Sequence, residues 1–208
     1  MESIQKRTSL SKDAKNYCAQ ILAKAFLNYP LYAYGINDKV NQEKKLCVLF
    51  QTLVEFTSRY GAIYTVGDPF KAVMLVLPST QIPISNWKMF LSGATDIFFK
   101  VGLNYLLRQR EITQKQEEIH LKYMTEPHQY IFTIGVDPAH QGQKLASRLI
   151  QELQQESEKQ HCPIFLETNK AINVQIYQKL GFKVLEMHEF PKKNLTLWGM
   201  RWDPSKKM

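Results

Sequence analysis

The 208-residue chain has no apolar run of membrane-spanning length; even the stretch 96–107 is broken by Asp96, Lys100 and Asn104. Its first thirteen residues, MESIQKRTSLSKD, lack the apolar segment of a secretory signal. Cysteine is scarce. Cys18, Cys47 and Cys162 are odd in number, widely spaced and set in apolar or near-apolar segments. This argues against a disulfide framework and a metal site, and implies reduced core residues in a cytoplasmic protein. There is no internal repeat, no low-complexity tract and no linker-like composition. Lys and Arg give a net charge of +8 but never run longer than two, so the plainest reading is a basic solvated surface. No specific nucleic-acid partner and no membrane partner is expected.

With 44% hydrophobic and 12% aromatic residues, the chain can bury one core, and a single domain over residues 1–208 is expected. Residues 1–8 read as a frayed or short edge strand. Ser11 is placed to cap a helix whose apolar face includes Tyr17, Cys18, Ile21, Leu22 and Phe26, and which stops before Pro30. A second helix covers about 41–60 and ends at Gly61. Two strands, 62–66 and 72–77, form a hairpin through Gly67-Asp68-Pro69 and complete an N-terminal part, 1–77. Residues 78–125 read as a helical insertion: one or two apolar helices, then a polar one over 114–123. Its aromatics Trp87, Phe90, Phe98 and Phe99 are either core residues or the wall of a pocket for an apolar or aromatic acceptor.

Residues 126–208 hold the most informative pattern. A β-branched and aromatic strand, 130–136, is ended by Asp137-Pro138, and a helix starting near Gln143 carries Leu145, Leu149, Ile150 and Leu153 on one stripe. The turn between them presents unpaired N–H groups at a helix N-terminus, where the dipole favours negative charge and Gly142 admits close approach. Such a turn suits a diphosphate. A buried strand, 163–167, follows; the helix crossing between makes it parallel to 130–136 and delivers Glu167 to the same sheet end. A helix over about 172–180 stops at Gly181, and strands 182–190 and 195–202 close the chain.

Strand, Val-Asp-Pro, a Gln-led loop ending in Ala, helix, second strand, then Asn173, Tyr177 and Leu-Gly-Phe at 180–182 resemble motifs A and B of the GNAT superfamily of acyl-CoA-dependent N-acyltransferases, over about 129–190. Gln141, Lys144 and Ala146 stand at the three named positions of that family's phosphate loop, Gln/Arg-x-x-Gly-x-Gly/Ala. Lys144 departs from the pattern. It is expected to be helical, needing no positive φ, with its side chain turned outward where it can reach a phosphate. The resemblance implies an α/β fold with a mixed, mostly antiparallel sheet, a splayed pair of motif strands and helices on both faces. It also implies acetyl-CoA as acyl donor, held by backbone at Ile134 and Val136 and by Gln141, Gly142, Gln143, Lys144, Leu145, Ala146, Asn173 and Tyr177. A β-bulge is expected around Gly135.

The expected reaction is transfer of an acetyl group to a primary amine of a small molecule, by direct attack in a ternary complex, without metal, by a monomer or homodimer. By the resemblance Tyr177 is the general acid, one helical turn from Asn173. Glu167 is the leading base candidate, with His128 and an ordered water as alternatives. Cys162 has no activating partner and is not read as a nucleophile. Other readings are a protein lysine or N-terminal acetyltransferase, a non-catalytic acyl-CoA sensor, which Lys144 keeps open, and a nucleic-acid binder, which rests on charge alone.

Overall fold

The computed structural model describes residues 3–7 and 9–205. Its elements follow the order β1 (Ile4–Arg7), α1 (Lys12–Ala25), α2 (Pro30–Gly35), α3 (Gln42–Tyr60), β2 (Ala62–Val66), β3 (Ala72–Pro78), α4 (Asn86–Leu91), α5 (Ala94–Asp96), a π turn (Ile97–Val101), α6 (Leu103–Tyr123), β4 (Gln129–Val136), α7 (Leu145–Gln160), β5 (Ile164–Thr168), α8 (Ala171–Lys179), β6 (Lys183–Phe190) and β7 (Leu195–Trp202). Residues 1, 2 and 8 of the expected edge strand lie outside the described residues.

The strands form one sheet in the order β1-β2-β3-β4-β5-β7-β6, in which only β4 and β5 run parallel. The α/β, mostly antiparallel expectation holds. At the centre, β3 reads Ala-Val-Met-Leu-Val-Leu-Pro because both of its faces are covered. Val73 and Leu75 pack with α1 and α3, whereas Ala72, Met74 and Val76 pack with α7. A third cluster joins Ile112 and Ile119 of α6 to Phe165, Leu195 and Leu197 under the C-terminal strands.

The helix ends follow from local chemistry. Ser11 Oγ accepts the Ala14 amide at 3.2 Å and starts α1. That helix stops before Pro30 as expected, but Pro30 then opens a further short helix, α2, which the sequence reading omits. Proline is favoured in a first helical turn, where its missing N–H costs nothing. Likewise 103–123 is one helix: its apolar start and polar end are the same element, with the pattern changing as α6 leaves the core.

Two features of β4 shape everything near its C-terminal end. The bulge lies at Phe132, because Leu75 pairs with Thr133 while Val76 pairs with Ile131. It is not at Gly135, which pairs regularly with Val73. Glycine stands at 135 for another reason: a Cβ there would meet Leu22 Cδ2 at 2.8 Å and Ala25 Cβ at 3.1 Å, so α1 lies directly on the strand. β4 and β5 pair only from Gln129 to Ile131 and from Ile164 to Leu166, then part. Replacing Gly135 by Val forces α1 off the sheet and is expected to lower unfolding free energy by about 1–3 kcal/mol in urea titrations; an unchanged midpoint would contradict this close packing.

Candidate active site

Where β4 and β5 separate, a cavity of about 80 Å³ opens between them. A single water needs roughly 10–15 Å³ of such space, so the cavity admits several. Ile134 lines it from β4, Glu167 and Thr168 from β5, and Asn173 and Tyr177 from α8. Phe26, Tyr29 and Tyr32, from the end of α1 through α2, close it on the other side. Their rings form an edge-on cluster, Phe26 to Tyr29 at 5.0 Å and Phe26 to Tyr32 at 5.4 Å, so this wall is rigid as well as apolar.

The gap is pinned by hydroxyls. The Asn169 amide donates to the Tyr29 hydroxyl at 2.7 Å, and Tyr29 is 3.0 Å from Thr168 Oγ1. Asn173 Nδ2 donates to the same threonine oxygen at 3.2 Å. Asn173 thus faces the cavity while bonded to a side chain of β5. Tyr29, Thr168 and Asn169 escape sequence reasoning because Tyr29 stands about 140 positions from its partners; the only local signal is an aromatic cluster around Pro30.

Glu167 sits at the cavity floor, accepting the Tyr130 hydroxyl at 2.6 Å. Burial raises its carboxyl from 4.5 to about 8, against the opposing pull of that hydrogen bond. At neutral pH the carboxyl is therefore poised to exchange a proton. Tyr177 is buried and packs on Phe182 at 5.9 Å; desolvation raises its hydroxyl above the ordinary 10, which keeps the proton in place. His128 is elsewhere. Its Nε2 lies 2.7 Å from His120 Nε2 and its Nδ1 bonds the Glu126 carbonyl at 2.7 Å, in a buried pair away from the cavity, where desolvation holds its pKa down. The insertion's four aromatics are neither core nor wall. Trp87, Phe90, Phe98 and Phe99 are exposed and line no part of the cavity; the insertion reaches it through Gln116.

Beyond the cavity, β4 continues to Val136 and into the loop. Asp137 Oδ1 caps it by accepting the Ala139 amide at 2.9 Å, and Gln141 Nε2 reaches back to the Val136 carbonyl at 3.4 Å. Gly142 has φ +80° with nothing within 4 Å of where a Cβ would stand, so its surface is open to a ligand. Gln141, Gly142, Gln143 and Lys144 are exposed, while the Leu145 side chain is in the core, leaving its backbone to the loop. Ala146 sits in the first turn of α7, whose N-terminus has no side-chain cap.

Lys144 is not helical: it is the residue before α7, with φ +59°, in the left-handed region. A lysine there costs about 1–2 kcal/mol relative to the right-handed form. The geometry explains why glycine is the pattern residue at this position, and it places a cation at a helix N-terminus that already favours anions.

Residues 114–204 match the model of the acetyltransferase (GNAT) domain. Over those residues the chain carries a GNAT acetyltransferase domain. Its fold is similar to that of the histone acetyltransferase HPA2 and related acetyltransferase from Corynebacterium glutamicum (18% identity, 99% of this chain and 98% of that one, TM-score 0.69). It is also similar to the ribosomal-protein-S18-alanine N-acetyltransferase from Escherichia coli (16%, 100% and 97%, TM-score 0.56) and arylalkylamine N-acetyltransferase 2 from Aedes aegypti (13%, 98% and 100%, TM-score 0.56). At such identities the likeness carries the GNAT fold, and the three names span protein and small-amine acceptors. The GNAT domain match supports an acyltransferase enzyme.

The raised carboxyl makes a stability prediction. Glu167 holds its proton more tightly folded than unfolded, so its contribution is full below about pH 4.5 and is lost as pH rises through about 8. Urea titrations should find wild-type protein weaker at about pH 9 than at about pH 5, by on the order of 2–4 kcal/mol more than Glu167→Gln. Parallel pH dependence in the two proteins would contradict the placement of Glu167.

Proposed function

We propose that this protein transfers an acetyl group from acetyl-CoA to the primary amine of a small molecule with an apolar or aromatic body. The observation that carries the reading is one cavity, at the parting of β4 and β5, that joins Glu167, Tyr177 and an aromatic wall, lined by the same strand, β4, that leads on to the open loop and uncapped N-terminus of α7.

The residues fit the donor. The φ and open face of Gly142, with the first amides of α7, form a cradle for a diphosphate, and Lys144 adds a point charge. The β4 backbone at Ile134 and Val136, past the last pairing with β5, offers hydrogen bonds to an extended pantetheine-like arm. Acetyl-CoA supplies the thioester; the protein's part is to orient it, to strip water from it and to move two protons. Phe26, Tyr29 and Tyr32 receive the body of the acceptor and exclude water around its amine. Glu167, directly or through a water in the cavity, takes the proton lost by the amine as its nitrogen bonds the carbonyl carbon. Tyr177 gives its proton to the sulfur as the carbon–sulfur bond breaks, and the raised pKa of its hydroxyl keeps that proton available.

The aromatic wall and the single carboxyl favour a small amine over a basic protein tail, whose lysines would be met by several acids. The arylalkylamine N-acetyltransferase among the structural neighbours accords with this. Tyr177→Phe is expected to lower kcat by about 10²-fold or more, with acetyl-CoA affinity changed less than about twofold, measured by thiol release on an amine panel and by calorimetry. Wild-type protein that binds acetyl-CoA yet turns over no amine would overturn the enzymatic reading in favour of a sensor.

A further inference from the structure

Isolated apolar side chains on a surface need no explanation, but their concentration does. Of the fifteen large hydrophobic residues exposed among the described residues, eight lie between 87 and 107. Trp87 is 67% and Phe99 78% exposed, and the rings are preassembled in pairs: Trp87 stacks on Phe90 at 5.5 Å, and Phe98 meets Phe99 edge-on at 5.2 Å. α4 and the π turn, which bear five of the eight, pack on α3 and are joined by α5, and the start of α6, which bears the other three, packs against the π turn. The π turn sorts its residues sharply. Ile97 and Val101 point into the core, leaving Phe98, Phe99 and Lys100 side by side in solvent.

Charge selects the partner. Residues 78–110 contain four cations, Lys88, Lys100, Arg108 and Arg110, and one acid, Asp96, for a net charge of 4 − 1 = +3. A second copy packed face to face by a two-fold axis would set this positive face against itself. Lys88 and Arg108 are half-buried, but Lys100, paired with Asp96 and next to Phe99, and Arg110, on the α6 stripe of Leu103, Leu106 and Leu107, are exposed. Apolar side chains with such cations beside them match instead the boundary of an anionic bilayer, where rings enter the headgroup region and each cation near the surface contributes about 1 kcal/mol. We propose that the surface formed by α4, the π turn and the start of α6 docks on anionic phospholipid membranes. This departs from the expectation, drawn from sequence, of no membrane partner. The segment lies on the membrane without crossing it, since no helix among the described residues is long and apolar enough to span one. The proposal is independent of the acyl-transfer reading.

The test is co-sedimentation of the full chain with vesicles of phosphatidylcholine alone or with about one-third phosphatidylserine. The expected result is binding to the anionic vesicles at least about tenfold tighter than to neutral ones, weakened by added salt. The double variant Trp87→Ala, Phe99→Ala, whose parent side chains are exposed, should lose that binding about tenfold with unchanged melting temperature and circular dichroism. Trp87→Phe should remove a blue shift of tryptophan emission on vesicle addition and otherwise bind as wild type. Absence of binding to anionic vesicles overturns the proposal, as does undiminished binding by a folded double variant. Concentration-dependent self-association that the double variant abolishes, without vesicle binding, would overturn it in favour of a contact between copies.

Discussion

The parting of β4 from β5 is the constraint on which the site depends. Two parallel strands that stay paired leave no room between them. These two stop after Ile131 and Leu166, and the next residues of each strand open a wedge into the sheet. The bulge at Phe132 turns β4 outward, and the hydroxyl network of Tyr29, Thr168 and Asn173 keeps β5 and α8 on their side of the gap. Backbone groups left unpaired by the separation lie at a sheet end, where they can bond a ligand without a buried deficit. The same separation places Glu167 in the cavity lining, where burial raises its carboxyl to about 8.

Two packing choices keep the wedge in register with the 141–146 loop. Gly135 lets α1 rest on β4, so the aromatic wall that follows α1 reaches the gap. The stripe of Leu145, Leu149, Ile150 and Leu153 holds α7 against the opposite face and aims its N-terminus at the end of β4. The loop then depends on backbone geometry more than on side chains. Gly142 and Lys144 both adopt positive φ, and the strain at Lys144 is retained where its charge adds to the field of the helix terminus.

Local pattern carries far in this chain. The strand and helix of 129–160, the loop between them, Glu167 at a strand end and the Asn173–Tyr177 pair on one helix face are all legible, because each rests on neighbours in sequence. The failures are non-local. Residue type leaves the insertion's aromatics as core or pocket wall, whereas Phe26, Tyr29 and Tyr32 form the wall from the N-terminal quarter, and no periodicity reports that approach. A glycine in a strand points to a bulge around Gly135, but this glycine answers to α1 packed against it and the bulge lies at Phe132. A helical Lys144 would need no positive φ, but Lys144 precedes α7 with φ +59°, in the left-handed region. His128 was a fair base by its ordinary pKa, and only the fold reveals that His120 occupies its ring nitrogen.

The central claim is that the parted strand and the 141–146 loop together hold acetyl-CoA. Backbone amide exchange, measured with and without saturating acetyl-CoA, tests it most directly. The account predicts that exchange slows both at residues 134–136 of β4 and at 142–147, with a smaller effect at the second site for a CoA analogue lacking the diphosphate. Unchanged exchange at both sites, under conditions where calorimetry detects binding, would contradict it.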